Sequence, residues 1–351
     1  MNTVKRVLLL GAGGWAREHW IDIVWPDFRD KVEIVGLVDM NEKALLSSGA
    51  VLGLSEEVLF TDMDKAFSAT NADFCVIVLP PHAHRIAVEK ATRYNLPILS
   101  EKPIADSYDD VKAIYTAVSK KKLKMAVIQN YRYEAPIMTL KKVLESKKLG
   151  RIDYIVARYA SDYRQPGSWD VGSVYEMEHP LLVEGSIHHL DMIRNLSGSD
   201  CKTIQCTSWN PDWSNFKDNA NAMVMMEMDN GVKAIYEGSS LAAGTINRWH
   251  QEYYRVECEK GSVVVDRGDR IVRVYTRDED GKQTIEEIPP VSELASGHHQ
   301  ILTEFLRWLD GGLAPETVLD DNIRSAVMVF AAIKSAEENK QQIPRNFLPQ
   351  L

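Results

Sequence analysis

The sequence predicts a two-part α/β protein: a doubly wound parallel sheet first, then an α+β domain with a mainly antiparallel open sheet. Three observations carry this. Up to about residue 128, short apolar runs rich in β-formers alternate with helical stretches, the pattern of strands joined by crossover helices and therefore running parallel. Beyond about residue 130, one or two helical stretches give way to strand after strand, separated by turn signals such as Asp229-Asn230-Gly231, Lys260-Gly261, Arg267-Gly268-Asp269 and Asp280-Gly281. A chain of 351 residues is also long enough for two domains with cores of their own. The expected division is 1–128 and 129–351.

Taken in order, parallel strands are expected at 4–10, 32–38, 74–79, 97–99 and 125–128. Helices between them include 83–94 and 108–120, the second opened by the Asp106-Ser107 capping signal. In the second part, strands are expected at 154–161, 203–210, 220–228, 233–239, 254–257, 262–266, 271–275 and 284–288, with closing helices at 298–309 and 321–340. No repeat or low-complexity linker interrupts the chain, so the junction near 128 is expected to be short and packed.

Composition narrows the function. A 45% hydrophobic and 26% charged chain is an ordinary soluble globular one. The net charge of −9, with no basic block longer than Lys120-Lys121-Lys122-Leu123-Lys124, argues against nucleic acid as a partner. The N-terminal apolar run is too short for a signal peptide or a membrane span, so a cytoplasmic protein with no membrane partner is expected. Cys75, Cys201, Cys206 and Cys258 lack metal-ligand spacing, which implies neither a metal site nor a disulfide framework.

Gly11-Ala12-Gly13-Gly14-Trp15-Ala16 follows directly on Val7-Leu8-Leu9-Leu10 and reads as strand, glycine turn, helix. That is the order a dinucleotide needs in a Rossmann-type half. Gly11 permits the sharp turn, Gly13 lets backbone approach a pyrophosphate, and the small Ala16 allows helix and strand to pack closely. The helix N-terminus supplies amide N–H groups and a positive dipole end for the phosphates. The second strand run ends in Asp39, 39 − 11 = 28 residues on, beyond the roughly 20 typical of a ribose-binding acid. Its carboxylate would accept ribose hydroxyls and repel a 2′-phosphate, and Met40-Asn41-Glu42 offers no arginine, so NAD is expected over NADP.

Pro97-Ile98-Leu99-Ser100-Glu101-Lys102-Pro103 puts a glutamate and a lysine at a strand's carboxyl end, on the same sheet edge as the glycine turn. A lysine there can reach both a nicotinamide and a substrate hydroxyl. Residues 181–191 read as a helix on which Glu184, His188 and Asp191 share a face, with His189 turned about 100° away. A carboxylate beside an imidazole suits acid–base work, because it can fix the ring's tautomer. Aromatic and polar residues that suit a sugar ring gather in two places: a loop with Arg164 and Trp169, and Arg248-Trp249-His250. Trp15, Trp20 and Trp25, at intervals of five, read as packing residues.

The glycine turn, Asp39, Pro80-Pro81-His82-Ala83-His84, Glu101-Lys102-Pro103, Asn130-Tyr131-Arg132, Leu149-Gly150-Arg151-Ile152 and His188-His189-Leu190-Asp191 occur in this order. The series resembles the Gfo/Idh/MocA oxidoreductases over nearly the whole chain. The resemblance implies NAD(P)-dependent hydride transfer, mostly on sugars, polyols and related compounds. It implies a dinucleotide site of Gly11, Gly13, Gly14, Trp15, Ala16, Asp39, Pro80, His84, Glu101 and Lys102, with Lys102 beside the nicotinamide. Lys102, His188 and Glu184 would be catalytic, and Lys102, His188, Arg164, Trp169 and Trp249 would meet the substrate. Relatives use the open sheet face to form dimers and tetramers, so a homodimer or homotetramer is expected. The chain departs from the family at one place. Members typically carry Asp-x-Gly-x-His where Glu184-Gly185-Ser186-Ile187-His188 stands here, so the carry-over is more direct for His188 than for Glu184. Two other readings stay open: a redox-neutral NAD-dependent lyase or glycosidase working by transient oxidation and elimination, and a non-enzymatic dinucleotide-binding regulator, which would need neither Lys102 nor His188.

Overall fold

The computed structural model describes residues 4–168, 172–291 and 297–350. The chain forms two compact units, one of Met1–Ile128, His298–Ile323 and Pro349–Leu351, the other of Gln129–Gly297 and Arg324–Leu348. The stretch His298–Ile323 thus belongs with the first unit, whereas a single cut near residue 128 puts it in the second. The Phe305 and Phe74 rings lie 5.8 Å apart, and Val127 N donates to Thr317 O at 2.9 Å. The returning segment satisfies backbone groups on a strand that would otherwise be a bare edge.

In the first unit six parallel strands run β1 (Lys5–Leu10), β2 (Val32–Val38), β3 (Leu59–Phe60), β4 (Phe74–Ile77), β5 (Ile98–Glu101) and β6 (Met125–Ile128). Their spatial order is β3-β2-β1-β4-β5-β6, so the winding reverses between β1 and β4. Val7–Leu10, Phe74–Ile77 and Met125–Ile128 are buried throughout, as strands covered on both faces must be, which is why they read as continuous apolar runs. The crossovers include α1 (Glu42–Leu52), α2 (Met63–Ala69), α3 (Pro81–Arg93) and α4 (Tyr108–Lys121). The expected cap on α4 is present, Ser107 Oγ accepting from Asp110 N at 3.2 Å. The first crossover, Ala16–Val24, departs from α geometry. It is wound as a π-helix, closed by Trp25 N donating to Trp20 O, five residues back.

In the second unit α5 (Ala135–Glu145) precedes β7 (Ile152–Ala160), and α6 (Ser186–Ser197) precedes β8 (Cys201–Trp209), β9 (Asn221–Met228), β10 (Lys233–Ser239), β11 (Tyr253–Cys258), β12 (Gly261–Asp266), β13 (Val272–Arg277) and β14 (Gln283–Ile288). The order is β14-β13-β12-β11-β7-β10-β9-β8, antiparallel except for the parallel pair β7–β10. Burial alternates here: on β10, Ala234 and Tyr236 face the core while Lys233, Ile235 and Glu237 face outward. Ile155, Ala157 and Tyr159 pack with Ile187, Leu190 and Ile193 of α6 in one core, and Met223, Met225 and Ile235 lie on the open face, each about half exposed. The closing helices are α7 (His298–Leu309) and α8 (Leu319–Glu338). Among the described residues no helix is long and apolar enough to cross a membrane, and no group of three metal-ligating side chains occurs.

Candidate active site

The carboxyl edge of the parallel sheet is built around Gly11. Gly11 N donates to Val38 O and Val78 N donates to Leu10 O, each at 2.8 Å, so the end of β1 is shared between the strands that diverge at the reversal point. Gly11 has φ +114°. A Cβ there would lie 2.1 Å from Val78 O and 3.2 Å from the Cβ of Ala16, which explains both the glycine and the small third residue of the turn. Asp39 closes the other side: Oδ2 accepts from Ala12 N at 2.8 Å and Gly13 N at 3.2 Å, and Oδ1 accepts from Asn41 N at 2.8 Å. The long spacing in sequence is thereby removed in space, because β1 and β2 lie side by side and end together.

Glu101 ends β5 and is buried. Its Oε1 accepts from Trp15 Nε1 at 3.1 Å, Trp20 Nε1 at 2.9 Å and His298 Nε2 at 2.9 Å. Burial pushes this carboxyl up, but the His298 ring, the Trp20 N–H and the neighbouring Lys102 charge outweigh it and hold the group at about 2. Trp15 and Trp20 are therefore donors to a buried charge as well as packing residues. Lys102 follows at once, half-buried in the turn beyond the strand. His84 is fully buried. Its Nε2 lies 2.8 Å from Leu79 O and its Nδ1 3.0 Å from Pro103 O, so both nitrogens are taken up in tying the end of β4 to the loop that carries Lys102. Burial lowers its pKa below the usual histidine range despite those carbonyls. Pro80 stands exposed at the turn into α3, on the same sheet edge.

In the second unit the helix expected over 181–191 is present but changes its winding part-way. Leu181–Gly185 makes a π-turn, with Ser186 N donating to Leu181 O, and α6 begins only at Ser186. The change of winding falls between Glu184 and His188. His188 is buried and stacks on the Tyr131 ring, centroids 4.2 Å apart and planes 14° from parallel, with the edge of Trp249 at 6.0 Å. Asp191 belongs elsewhere. It is paired with Arg132 through two bonds, Nε to Oδ2 at 2.7 Å and Nη2 to Oδ1 at 2.6 Å, and accepts from Ser325 Oγ at 2.6 Å. His189 is likewise internal: its Nδ1 lies 3.1 Å from the Tyr236 hydroxyl, and burial lowers its pKa.

Sequence reasoning missed the charged cluster behind Tyr131. The Tyr131 hydroxyl donates to Glu252 Oε1 at 2.7 Å, and the Arg267 guanidinium lies over the Tyr131 ring at 4.3 Å while pairing with both Glu252 and Glu134. His250 N donates to Glu252 at 3.0 Å, and His250 Nδ1 meets Glu134 Oε1 at 3.0 Å. Burial pushes the Glu252 carboxyl up, but Arg267, then His189 and Tyr131, hold it at about 2. Of the expected substrate wall, Trp249 packs on Tyr159 at 4.6 Å, beside His188. Arg164 is committed to Asp162 through bonds of 2.8 and 2.7 Å, and Trp169 lies outside the described residues.

Comparison with known proteins agrees with this architecture. Residues 5–129 match the model of the oxidoreductase family with an NAD-binding Rossmann fold, and residues 137–264 match the GFO/IDH/MocA C-terminal domain. The chain belongs to the Gfo/Idh/MocA oxidoreductase family. As such it is an NAD(P)-dependent enzyme of the dehydrogenase type. It is 36% identical to an uncharacterised protein of Sinorhizobium fredii, y4oX, over 98% of this chain and 96% of that one. It is 25% identical to the D-apiose dehydrogenase of Paraburkholderia graminis, over 97% and 90%. An Agrobacterium radiobacter oxidoreductase, solved in complex with NAD+, L-tartaric acid and magnesium, shares the fold with a TM-score of 0.85 at 23% identity, covering 99% of this chain and 100% of that one.

Proposed function

We propose that this family member is a cytoplasmic NAD-dependent dehydrogenase that moves hydride between nicotinamide and a secondary alcohol or ketone of a sugar, polyol or related compound. The observation that carries the reading is Glu101. A buried carboxylate gripped by three ring N–H groups fixes the residue immediately before Lys102, on the sheet edge that also bears the glycine turn. The turn suits a dinucleotide, since a side chain at Gly11 would collide with Val78 and the small Ala16 sits against it. Asp39, at the end of β2, favours the free ribose of NAD over the 2′-phosphate of NADP. When bound, the nicotinamide supplies the hydride acceptor.

Lys102 and His188 hydrogen-bond the reacting oxygen, and one of them takes its proton as hydride leaves the carbinol carbon. Tyr131 holds the His188 ring flat against its own, Glu184 helps to orient it, and Trp249, with Arg164, lines the sugar. Similarity to D-apiose dehydrogenase supports a carbohydrate-like substrate. Residues 1–128 serve the dinucleotide, and 129–351 serve the substrate and the oligomer. The half-exposed Met223, Met225 and Ile235 on the open sheet face suit a homodimer or homotetramer. The unpaired Cys75, Cys201, Cys206 and Cys258 accord with a reducing compartment. The test is a panel of sugars and polyols with NAD, read by NADH formation. Lys102→Ala is expected to abolish turnover on the best substrate while leaving NAD affinity within about threefold, and full activity in that variant refutes the assignment. Substrate loss without NADH accumulation would instead favour the redox-neutral lyase.

A further inference from the structure

Among the parallel strands of the first unit, β1, β2, β3, β4 and β6 all end on an apolar residue, Leu10, Val38, Phe60, Ile77 and Ile128, and β5 ends on Glu101. Packing does not demand a carboxylate there, and a buried carboxylate is unfavourable unless donors surround it. The donors come from two distant pieces of chain. Trp15 precedes and Trp20 lies within the π-helix that leaves the glycine turn, and His298 opens α7, 197 residues after Glu101. Behind His298 stands His19 of the same π-helix, its Nε2 2.8 Å from His298 Nδ1. The His19 ring is stacked on Trp15, centroids 4.4 Å apart and planes 3° from parallel.

Proton placement follows from the chemistry of the partners. An ionised carboxylate only accepts, so His298 Nε2 carries a hydrogen. In its uncharged form His298 Nδ1 is then an acceptor, and His19 Nε2 must donate to it. With His298 uncharged, every N–H in the line His19–His298–Glu101 points toward the carboxylate. His19 therefore selects the tautomer of His298, and His298 completes the grip on the residue that precedes Lys102. Trp15 closes the loop, because it stacks on His19 and donates to the same Glu101 oxygen.

We propose that His298 is a positioning residue for Lys102, acting through Glu101, with His19 fixing the tautomer in which it does so. The proposal rests on the reading of Lys102 as a group that binds the reacting oxygen. Its chemistry requires only that an N–H donor face Glu101 Oε1, which separates it from a role for the imidazole as acid, base or filler.

The experiment compares His298→Asn, which can present an amide N–H to Glu101, with His298→Leu, which cannot. Steady-state kinetics with NAD and the best polyol of the panel is paired with the indole ¹H–¹⁵N signals of Trp15 and Trp20 in the free protein. For His298→Leu the expected result is a kcat reduced about tenfold or more, with KM and the NAD dissociation constant within about threefold, and both indole signals displaced. His298→Asn is expected to recover most of kcat and to return both signals toward wild type. The proposal is overturned by a His298→Leu enzyme that keeps wild-type kcat, or by a His298→Asn enzyme as slow as His298→Leu. Indole signals that ignore both substitutions also overturn it. If wild type forms no NADH on any substrate, the dehydrogenase reading fails. The indole signals then still decide whether His298 governs Glu101.

Discussion

Two carboxylates, one in each unit, are buried and held at about 2, but by different means. Glu252 is balanced by a full guanidinium, Arg267, together with the Tyr131 hydroxyl and the His250 amide. Glu101 is held by ring N–H groups, two indoles and an imidazole. The difference lies in what remains when a partner is removed. An imidazole can give up its proton and an indole carries no charge, whereas a guanidinium cannot be neutralised and its loss leaves carboxylates facing each other. The Glu252 cluster should behave as a rigid electrostatic keystone beneath Tyr131 and His188, and the Glu101 cluster as an adjustable grip next to Lys102.

The largest expected effect tests the keystone. Arg267→Met strands both Glu252 and Glu134 and should destabilise the protein by about 3–5 kcal/mol in urea denaturation, with part of the loss recovered in Arg267→Met/Glu252→Gln. A single variant that unfolds at the wild-type midpoint would remove the distinction between the clusters. Acid should expose both carboxylates. Their folded pKa values lie below the ordinary 4.5, so each contributes stability that is complete above about pH 4.5 and is lost as pH falls toward about 2. Denaturation midpoints measured down that range should fall steeply in wild type and less steeply in Glu101→Gln. At neutral pH, Glu101→Gln keeps an acceptor for the ring donors and should lose only about 1–2 kcal/mol, well short of the Arg267 effect; an equal loss would contradict the adjustable grip. The smallest effect is the control. Arg345 and Asp229 form an exposed ion pair at 2.7 Å, and Arg345→Ala should cost less than about 1 kcal/mol.

The same contrast explains what could be read from the chain. Strand, glycine turn and capping serine are local patterns, and β1, Gly11 and Ser107 stand where those patterns put them. The turn signals that separate antiparallel strands are equally local, and β8 to β14 stand within a few residues of where those signals put them, although the parallel pairing of β7 with β10 leaves no sign in the sequence. Winding is harder to see, because a π-turn adds less than one residue per turn to the apolar spacing. Ala16–Val24 and Leu181–Gly185 therefore read in the sequence as ordinary helix. The clusters themselves are non-local. Tyr131 and Glu252 are 121 residues apart, and Arg267 sits in a segment whose Arg-Gly-Asp signature reads as an exposed turn, though its side chain is buried. Asp191 was drawn to the candidate site by helix spacing and is held instead by Arg132.

In the proposed function Lys102 and His188 act on one oxygen, and a double-mutant cycle on kcat decides the point. Groups that share a single proton transfer are strongly non-additive. Lys102→Ala and His188→Ala should each remove most of the turnover, and the double variant should be little slower than the worse of the two. Losses that multiply as independent factors, or a wild-type kcat in either single variant, would contradict the account.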